Sequence, residues 1–166
     1  MFREMRRGKQ ALSTEDIKRI LEEGTSGVLA LAGDDDYPYA LPISYVYSDG
    51  KLYFHCAREG HKLDAIRRNP KASFCIIGQD KVSPSEYTTH YESVIAFGRI
   101  QIMEDEIQML SAIRKISDKY CASEGEEHRE RAISKEWKAL CLLEMEIDHI
   151  SGKQARELMM QRRGKN

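Results

Sequence analysis

One basic stretch of the sequence, residues 53–70, has the residue types and spacing expected of a phosphate-binding site. It begins as a short strand, turns at Gly60 and continues as a short helix that ends at Pro70. Lys62 is expected in the first helical turn, where free backbone N–H groups and the positive end of the helix dipole favour an anion. The cationic side chains of the stretch are Arg58, His61, Lys62, Arg67 and Arg68. We therefore predict a phosphate-binding site here. The alternative is an ordinary strand-to-helix connection with a solvated basic face, because no Walker-type or dinucleotide fingerprint is present.

Metal and covalent chemistry are not supported by the spacing of the histidines and cysteines. No HExxH, CxxC or paired-finger pattern occurs, so no metal site is predicted. His55 and Cys56 are neighbours on a predicted strand and point to opposite faces, so they cannot act together as base and nucleophile. We interpret Cys56 as a small buried thiol. His55 stays a catalytic candidate, as a hydrogen-bond donor to substrate or cofactor, with a strand residue satisfied by the backbone as the alternative.

The composition predicts one globular domain over residues 1–166, with residues 1–10 as a mobile arm. Hydrophobic residues make up 41% and charged residues 32% of the chain, a balance typical of a folded rather than a disordered protein. The formal net charge of −1 gives no general attraction to nucleic acid or to a membrane. No apolar run is long enough to span a membrane, and the N-terminus lacks the apolar segment of a signal peptide. We therefore expect a cytoplasmic location and reduced cysteines.

Both ends of the chain are basic. The residues concerned are Arg3, Arg6, Arg7 and Lys9 near the start and Arg162, Arg163 and Lys165 near the end. We interpret them as solvated tails rather than as a nucleic-acid interface, because no aromatic stacking platform accompanies them.

The elements that precede the basic stretch predict a helix followed by strands. Ser13 is a suitable N-cap for the helix, and a buried strand follows at 28–32. Residues 39–47 form a second strand, in which Pro42 predicts an edge position, a bulge or an interrupted ladder. Irregular strands of this kind often line a ligand site, because some backbone groups are free of pairing. A hairpin turn then leads into strand 51–56.

The second half of the chain predicts further strands and late helices. Strand 72–78 is followed by a polar loop at 79–89, long enough to be a lid or a subunit contact. The longest strand, 91–103, alternates between two faces, and Gly98 within it predicts a bend. The remaining elements are helices at 105–120, 129–138 and 152–162 and a strand at 140–147. Hairpin-linked strands with late helices favour an antiparallel barrel with helical additions over an alternating βαβ fold.

Several motifs occur in an order that resembles a known family. They are LPISYVY at 41–47, DG at 49–50, LYFHCA at 52–57, GHKLD at 60–64, NP at 69–70, YESVIAFG at 91–98 and IDHISGK at 147–153. Together they resemble the flavin-binding split-barrel superfamily of pyridoxamine 5′-phosphate oxidase-like proteins, specifically its nitroimidazole-resistance-related subgroup. The resemblance extends over about residues 5–160.

The resemblance implies a mainly β fold, an antiparallel split β-barrel with peripheral helices. It further implies a homodimer that binds FMN in the clefts between its subunits. The cofactor-binding positions that it implies are Ile43, Ser44, Tyr45, His55, Cys56, Ala57, His61, Lys62 and Ser93. In this arrangement His61 and Lys62 hold the phosphate, the backbone of residues 43–45 runs along the isoalloxazine ring, and Ser93 approaches the flavin from the same side.

The function implied by the resemblance is that of an FMN-dependent oxidoreductase. NAD(P)H would reduce the flavin, which would pass electrons to a small electron-poor acceptor such as a nitroaromatic. The chain differs from true pyridoxamine phosphate oxidases, which have an Arg-Lys pair where His61 and Lys62 stand and an Arg and a Lys along the flavin strand, so their own oxidase activity is not implied. Two alternatives are a flavin- or haem-binding protein without catalytic activity and a ligand-free dimeric module.

Overall fold

Within residues 2–163, which the computed structural model describes (Arg163 by its backbone only), seven strands form one antiparallel sheet. The strands are β1 Ser26–Ala32, β2 Pro38–Ser44, β3 Val46–Ser48, β4 Lys51–Ala57, β5 Lys71–Ser83, β6 Thr88–Ile102 and β7 Leu140–Gln154. The helices are α1 Thr14–Glu23, α2 His61–Arg68, α3 Glu106–Tyr120, α4 Glu126–Glu136 and α5 Arg156–Arg163. The strand order is β2-β1-β5-β6-β7-β4-β3. Lys165, one of the basic residues at the C-terminal end, lies outside the described residues.

The sheet closes into a barrel at Tyr45. Strands β2 and β3 lie at opposite ends of the strand order, yet Tyr45 is the single residue between them in the chain. Its side chain is fully buried, and its hydroxyl donates a hydrogen bond to the carbonyl oxygen of Leu21 at 2.9 Å. Two edge strands that are joined by one residue but not paired with each other produce a split barrel. The predicted fold class, a mainly β antiparallel split barrel with peripheral helices, is confirmed.

Ser13 at the first helix and Pro42 in the second strand occupy the kinds of position predicted for them. Ser13 caps α1, and its hydroxyl accepts a hydrogen bond from the backbone N–H of Asp16 at 3.1 Å. Pro42 lies on edge strand β2, opposite Val28 of β1, and an edge strand is where a sheet tolerates proline. The predicted strand at 39–47, however, is two strands that are interrupted at Tyr45.

The predicted polar loop at 79–89 is wrong, because β5 and β6 continue as a long hairpin through this region. Gln79 pairs with Glu92, the pairing runs on to Ser83 and Thr88, and a short turn at Pro84–Glu86 joins the two strands. Most side chains here are polar, and the large apolar ones, Val82 and Tyr87, are exposed, since neither face is buried against the core. An alternation of apolar and polar residues is therefore absent, although the backbone ladder is complete.

The bend predicted at Gly98 is confirmed by a bulge between β6 and β7. Phe97 pairs with His149 but Gly98 pairs with Ile147, so that Asp148 is the additional residue on β7. A Cβ atom at Gly98 would lie 1.8 Å from the carbonyl oxygen of Glu146. Beyond the bulge β7 continues to Gln154, so the helix predicted from residue 152 begins only at Arg156. The long partner strand β6 makes this extension possible.

Two apolar clusters stabilise the molecule. One fills the barrel, with Phe54 and Phe74 fully buried at its centre. The other lies between the barrel wall and helices α3 and α4, where Trp137 packs against Leu142 and its neighbours. α4 begins three residues before the predicted position, at Glu126. No helix among residues 2–163 has the length and apolarity needed to cross a membrane.

The segment predicted to be a mobile arm contacts the barrel. The ring of Phe2 stacks on His149 with centroids 4.7 Å apart, and Gln10 is 7% exposed. The Gln10 side-chain amide donates a hydrogen bond to the carbonyl oxygen of Gln154 at 3.1 Å. The last part of this segment is therefore anchored to β7.

Candidate functional site

The start of α2 has the backbone geometry of an anion site. Gly60 precedes the helix with a φ of 129°, a conformation that favours glycine, and its carbonyl oxygen accepts the N–H of Leu63 at 2.9 Å. The N–H groups of His61 and Lys62 belong to the first turn, in which a helix has no internal acceptors. The predicted placement of Lys62 at the helix start is confirmed.

Lys62 is a cation without a neutralising partner in the described part of the chain. Its side chain is half-buried, and among residues 2–162 no carboxylate oxygen lies within 4.0 Å of its ammonium group. The neighbouring cations differ in this respect. Arg67 pairs with Asp64 at 3.0 Å, and Arg68 pairs with Asp34 at 2.7 Å. The positive charge of Lys62 is therefore available to an anion at the helix start.

His61, the other predicted phosphate ligand, is oriented by the β1–β2 turn. Its Nε2 lies 3.2 Å from Oδ2 of Asp34, and its ring stacks on Tyr39 with centroids 4.1 Å apart. Hydrogen bonding to Arg68 lowers the pKa of Asp34, with smaller charge effects of Arg68 and His61. Asp34 therefore carries a negative charge beside the His61 ring.

His55 and Cys56 lie within the electrostatic influence of Lys62. Partial burial lowers the pKa of His55 below its usual value near 6.5, and the charge of Lys62 lowers it further, so the imidazole is neutral at pH 7. Cys56 is directly opposite Cys141 in the β4–β7 ladder and packs against the barrel core. Burial raises the pKa of the Cys56 thiol to about 11, so it is protonated at pH 7. These states agree with interpreting His55 as a hydrogen-bonding group and Cys56 as a small packing residue.

Ser44 and His55 line one cavity of about 370 Å³ between the strands and the helices α3 and α4. Most of the lining is apolar, and the apolar side chains are Ile113, Ile116, Ala132, Ile133 and Leu140. A volume of this size is typical of a small-molecule site, in which apolar walls and a few polar groups combine. The sequence indicated the strand residues of the cavity but not its helical wall, because no local signal specifies where α3 and α4 pack.

Tyr120 is a functional candidate that the sequence did not indicate. It lines the same cavity, and its hydroxyl accepts a hydrogen bond from the backbone N–H of Tyr45 at 2.9 Å. The hydroxyl also lies within donating distance of the carbonyl oxygens of Tyr45, at 2.7 Å, and of Thr25. The backbone of Tyr45 is thereby engaged inside the protein, whereas the neighbouring Ser44 faces the cavity.

The remaining predicted residues occupy different places. Ile43 packs against the barrel core, and Ala57 is exposed at the end of β4. Ser93 lies on β6, where it pairs with Ile77 on one side and Lys153 on the other. Ser93 is therefore on a different part of the sheet from the cavity that Ser44 and His55 line. Within residues 2–162 no group of three or more His, Cys, Asp or Glu side chains is arranged to hold a metal ion.

Solved structures with similar folds include a candidate antibiotic resistance protein and proteins that bind FAD. A candidate 5-nitroimidazole antibiotic resistance protein from Bacteroides thetaiotaomicron is 18% identical, with a TM-score of 0.75, over 87% of this chain and 86% of that one. A FAD-binding protein from Mesorhizobium loti is 25% identical, with a TM-score of 0.62, over 87% and 96%. A FAD and heme binding protein from Mycobacterium smegmatis is 21% identical, with a TM-score of 0.68, over 89% and 74%.

Sequence comparison identifies the family. An uncharacterised protein from Rhizobium meliloti (strain 1021) is 30% identical over 92 residues, which are 55% of this chain. The matched region spans 56% of that relative's length. The family model described as Pyridoxamine 5'-phosphate oxidase matches residues 13–154. The chain, with its split barrel, therefore belongs to the pyridoxamine 5'-phosphate oxidase family.

Proposed function

We propose that the chain is an FMN-dependent oxidoreductase. The observation that carries the proposal is the position of Lys62, a cation without a carboxylate partner among the described residues, at a helix start from which its charge acts on His55, and His55 lines a cavity together with Ser44. The FAD-binding neighbours and the family match support a flavin as the ligand. The choice of FMN rather than FAD is part of the proposal.

The residues present fit this cofactor. The first turn of α2 and Lys62 would hold the phosphate, because backbone N–H groups and an ammonium group both favour a dianion. The apolar side chains of α3 and α4 would cover the ring system and keep water away from it. Neutral His55 would offer one ring nitrogen as a donor and the other as an acceptor. His61 would contribute less than Lys62, since Asp34 already engages its ring.

When bound, a flavin accepts a hydride from a donor such as NAD(P)H and passes electrons to an acceptor, so the protein supplies binding and orientation. We propose small electron-poor acceptors such as nitroaromatics, which is supported by the similarity to the candidate nitroimidazole resistance protein. A haem-handling role is the alternative, supported by the neighbour that binds both FAD and heme. NADPH-dependent reduction of a nitroaromatic would favour the first role, and a Soret band that stays with the protein would favour the second.

A homodimer is part of the proposal, because the outer face of the sheet carries exposed apolar residues in adjacent positions. Val28 is 40%, Ile77 63% and Ile95 37% exposed. Cys75 on the central strand β5 pairs with Val28 of β1 and with Ile95 of β6, and Ile77 is two residues further along β5, on the same face. Exposed apolar residues that adjoin on a sheet mark a protein interface more often than isolated ones. Ser93 is opposite Ile77 in the sheet and belongs to the same region. In a dimer that buries this region, Ser93 would contact the flavin bound by the second subunit.

Light scattering of Ile77→Lys tests the dimer. We expect a monomer, because a lysine in the centre of a buried interface would be an unpaired charge. Ile107→Lys is the control, since Ile107 is 82% exposed on α3 and outside this face. A dimeric Ile77→Lys, or a monomeric wild type, would exclude this interface.

Flavin retention tests the cofactor site. Purified protein is mixed with FMN, desalted and scanned in the visible range, and the dissociation constant is then measured for wild type, Lys62→Ala and the control Lys81→Ala. A hydrogen bond to a charged group contributes about 1.5–3 kcal/mol, so Lys62→Ala should weaken FMN binding roughly ten- to hundredfold. Lys81 is exposed on the β5–β6 hairpin, and its replacement should have no effect. Unchanged FMN binding in Lys62→Ala would refute the assignment.

A further inference from the structure

A second cavity, of about 810 Å³, lies between the N-terminal segment and α5. Four cationic side chains and two methionines line it, namely Arg6, Arg7, Lys9, Arg156, Met159 and Met160. Three cations of the basic N-terminal end, which we interpreted as a solvated tail, thus meet Arg156 of α5 around one space, whereas Arg162 of the basic C-terminal end does not line it. We propose that this cavity binds a nucleotide through its phosphate groups.

The positive charge of the cavity is not neutralised within the described side chains. Among residues 2–162, no carboxylate oxygen lies within 4.0 Å of the charged groups of the four lining cations. Another arginine of the same helix behaves differently, because Arg162 forms ion pairs with both Asp16 and Glu92. The whole chain has a net charge of −1, so the excess of positive charge is a local property of this cavity.

Both walls of the cavity are attached to the barrel. The segment with the first three cations ends at Gln10, which is 7% exposed and bonded to Gln154, and the N–H of Leu12 donates to the carbonyl oxygen of Gly152 at 3.0 Å. On the other wall, Arg162 joins α5 to Glu92, whose side chain is 5% exposed. The cations are therefore presented by anchored backbone.

The lining favours a nucleotide over smaller or apolar ligands. Guanidinium groups bind phosphate oxygens with two parallel hydrogen bonds, and three of the four cations are arginines. Met159 and Met160 offer an adaptable, polarizable surface suited to a heterocyclic base. The volume lies within the range of about 300–1,000 Å³ that small-molecule sites occupy. The shared chemistry is therefore a base that carries two or more phosphates, whether in a free nucleotide or in a dinucleotide such as NADPH.

Calorimetric titration of the purified full chain with ADP, NADPH and inorganic pyrophosphate tests the inference. ADP and NADPH should both bind with saturation below about 1 mM. Pyrophosphate should bind more weakly, because it cannot contact the methionines. If NADPH binds much more tightly than ADP, NADPH is the electron donor, an assignment that rests on the proposed function. Equal affinities would identify a general nucleotide site.

Arg156→Ala should weaken ADP binding about tenfold or more, since a phosphate would lose a bidentate partner. Arg99→Ala is the matched control, because Arg99 is exposed on β6 and does not line the cavity. Equal losses in the two variants, no saturable ADP binding by the wild type, or pyrophosphate binding as tight as ADP binding would overturn the inference. FMN retention and far-UV circular dichroism are measured on the same samples. A wild-type protein that binds ADP but does not retain FMN would therefore count against the proposed function and not against the nucleotide site.

Discussion

Replacing Tyr120 by phenylalanine should destabilise the barrel at the point where it closes. The substitution removes one hydroxyl and keeps the ring. The backbone N–H of Tyr45 then loses its acceptor at 2.9 Å, and one of two nearby carbonyl oxygens loses a donor. A polar group that is left buried without a partner costs about 1–3 kcal/mol. Because Tyr120 is 37% exposed, water can replace part of this loss. We therefore expect the free energy of unfolding to fall by about 1–2 kcal/mol.

Urea unfolding followed by circular dichroism measures this change directly. For a chain of this length the loss corresponds to a decrease of roughly 2–8 °C in melting temperature. Tyr87→Phe is the control, since Tyr87 is 98% exposed and its hydroxyl has no hydrogen-bond partner within residues 2–162. That variant should stay within about 0.5 kcal/mol of the wild type. A Tyr120→Phe variant as stable as the control would show that the Tyr120 hydroxyl does not stabilise the junction between β2 and β3.

Three further predictions concern the bulge, the thiols and pH. Gly98→Ala should lower the free energy of unfolding in urea by about 1–3 kcal/mol, because its Cβ would lie 1.8 Å from a backbone carbonyl oxygen of β7. Gly125→Ala, with free space around it, should lose less, up to about 1 kcal/mol, because alanine is a poorer N-cap for α4 than glycine. With a thiol-reactive dye, exposed Cys121 should react first and buried Cys141 last, and equal rates would contradict the described burial. The lowered pKa of His55 means that below about pH 6.5 the unfolded chain takes up a proton that the folded chain does not. Stability should therefore fall as the pH drops from about 6.5 towards the folded-state pKa, and it should fall less in His55→Gln; identical pH profiles for the two proteins would disprove this coupling.

The sequence was sufficient where local chemistry determines the structure. The helix start at Lys62 was predictable because Gly60 and Pro70 delimit a short helix. The bend at Gly98 was predictable because glycine inside a strand often marks a bulge or a bend. Pro42 indicated an edge strand in the same way. Each of these positions depends on the backbone preferences of one or two residues.

Features that depend on distant partners were not predictable from local patterns. The hydroxyl of Tyr120 bonds to a residue 75 positions earlier, and no motif marks it. The long hairpin at 79–89 was missed because most side chains of its strands are polar. The partnership of His61 with Asp34 and the meeting of the N-terminal segment with α5 at one cavity likewise follow from the strand order, which single-residue preferences do not specify.

The place of β7 in the sheet has a consequence for how the chain is made. β7 is the last of the seven described strands, yet it lies between β6 and β4 and pairs with both, since Glu146 is opposite Lys51 of β4 and Arg99 of β6. Until it leaves the ribosome, the nascent chain contains two separate groups of strands, and the facing edges of β6 and β4 have no partner. Pairings between distant residues form slowly, and unpaired edges promote aggregation. The barrel can therefore close only after β7 has been synthesised, and a chain that is terminated before Leu140 would expose both edges to other nascent chains.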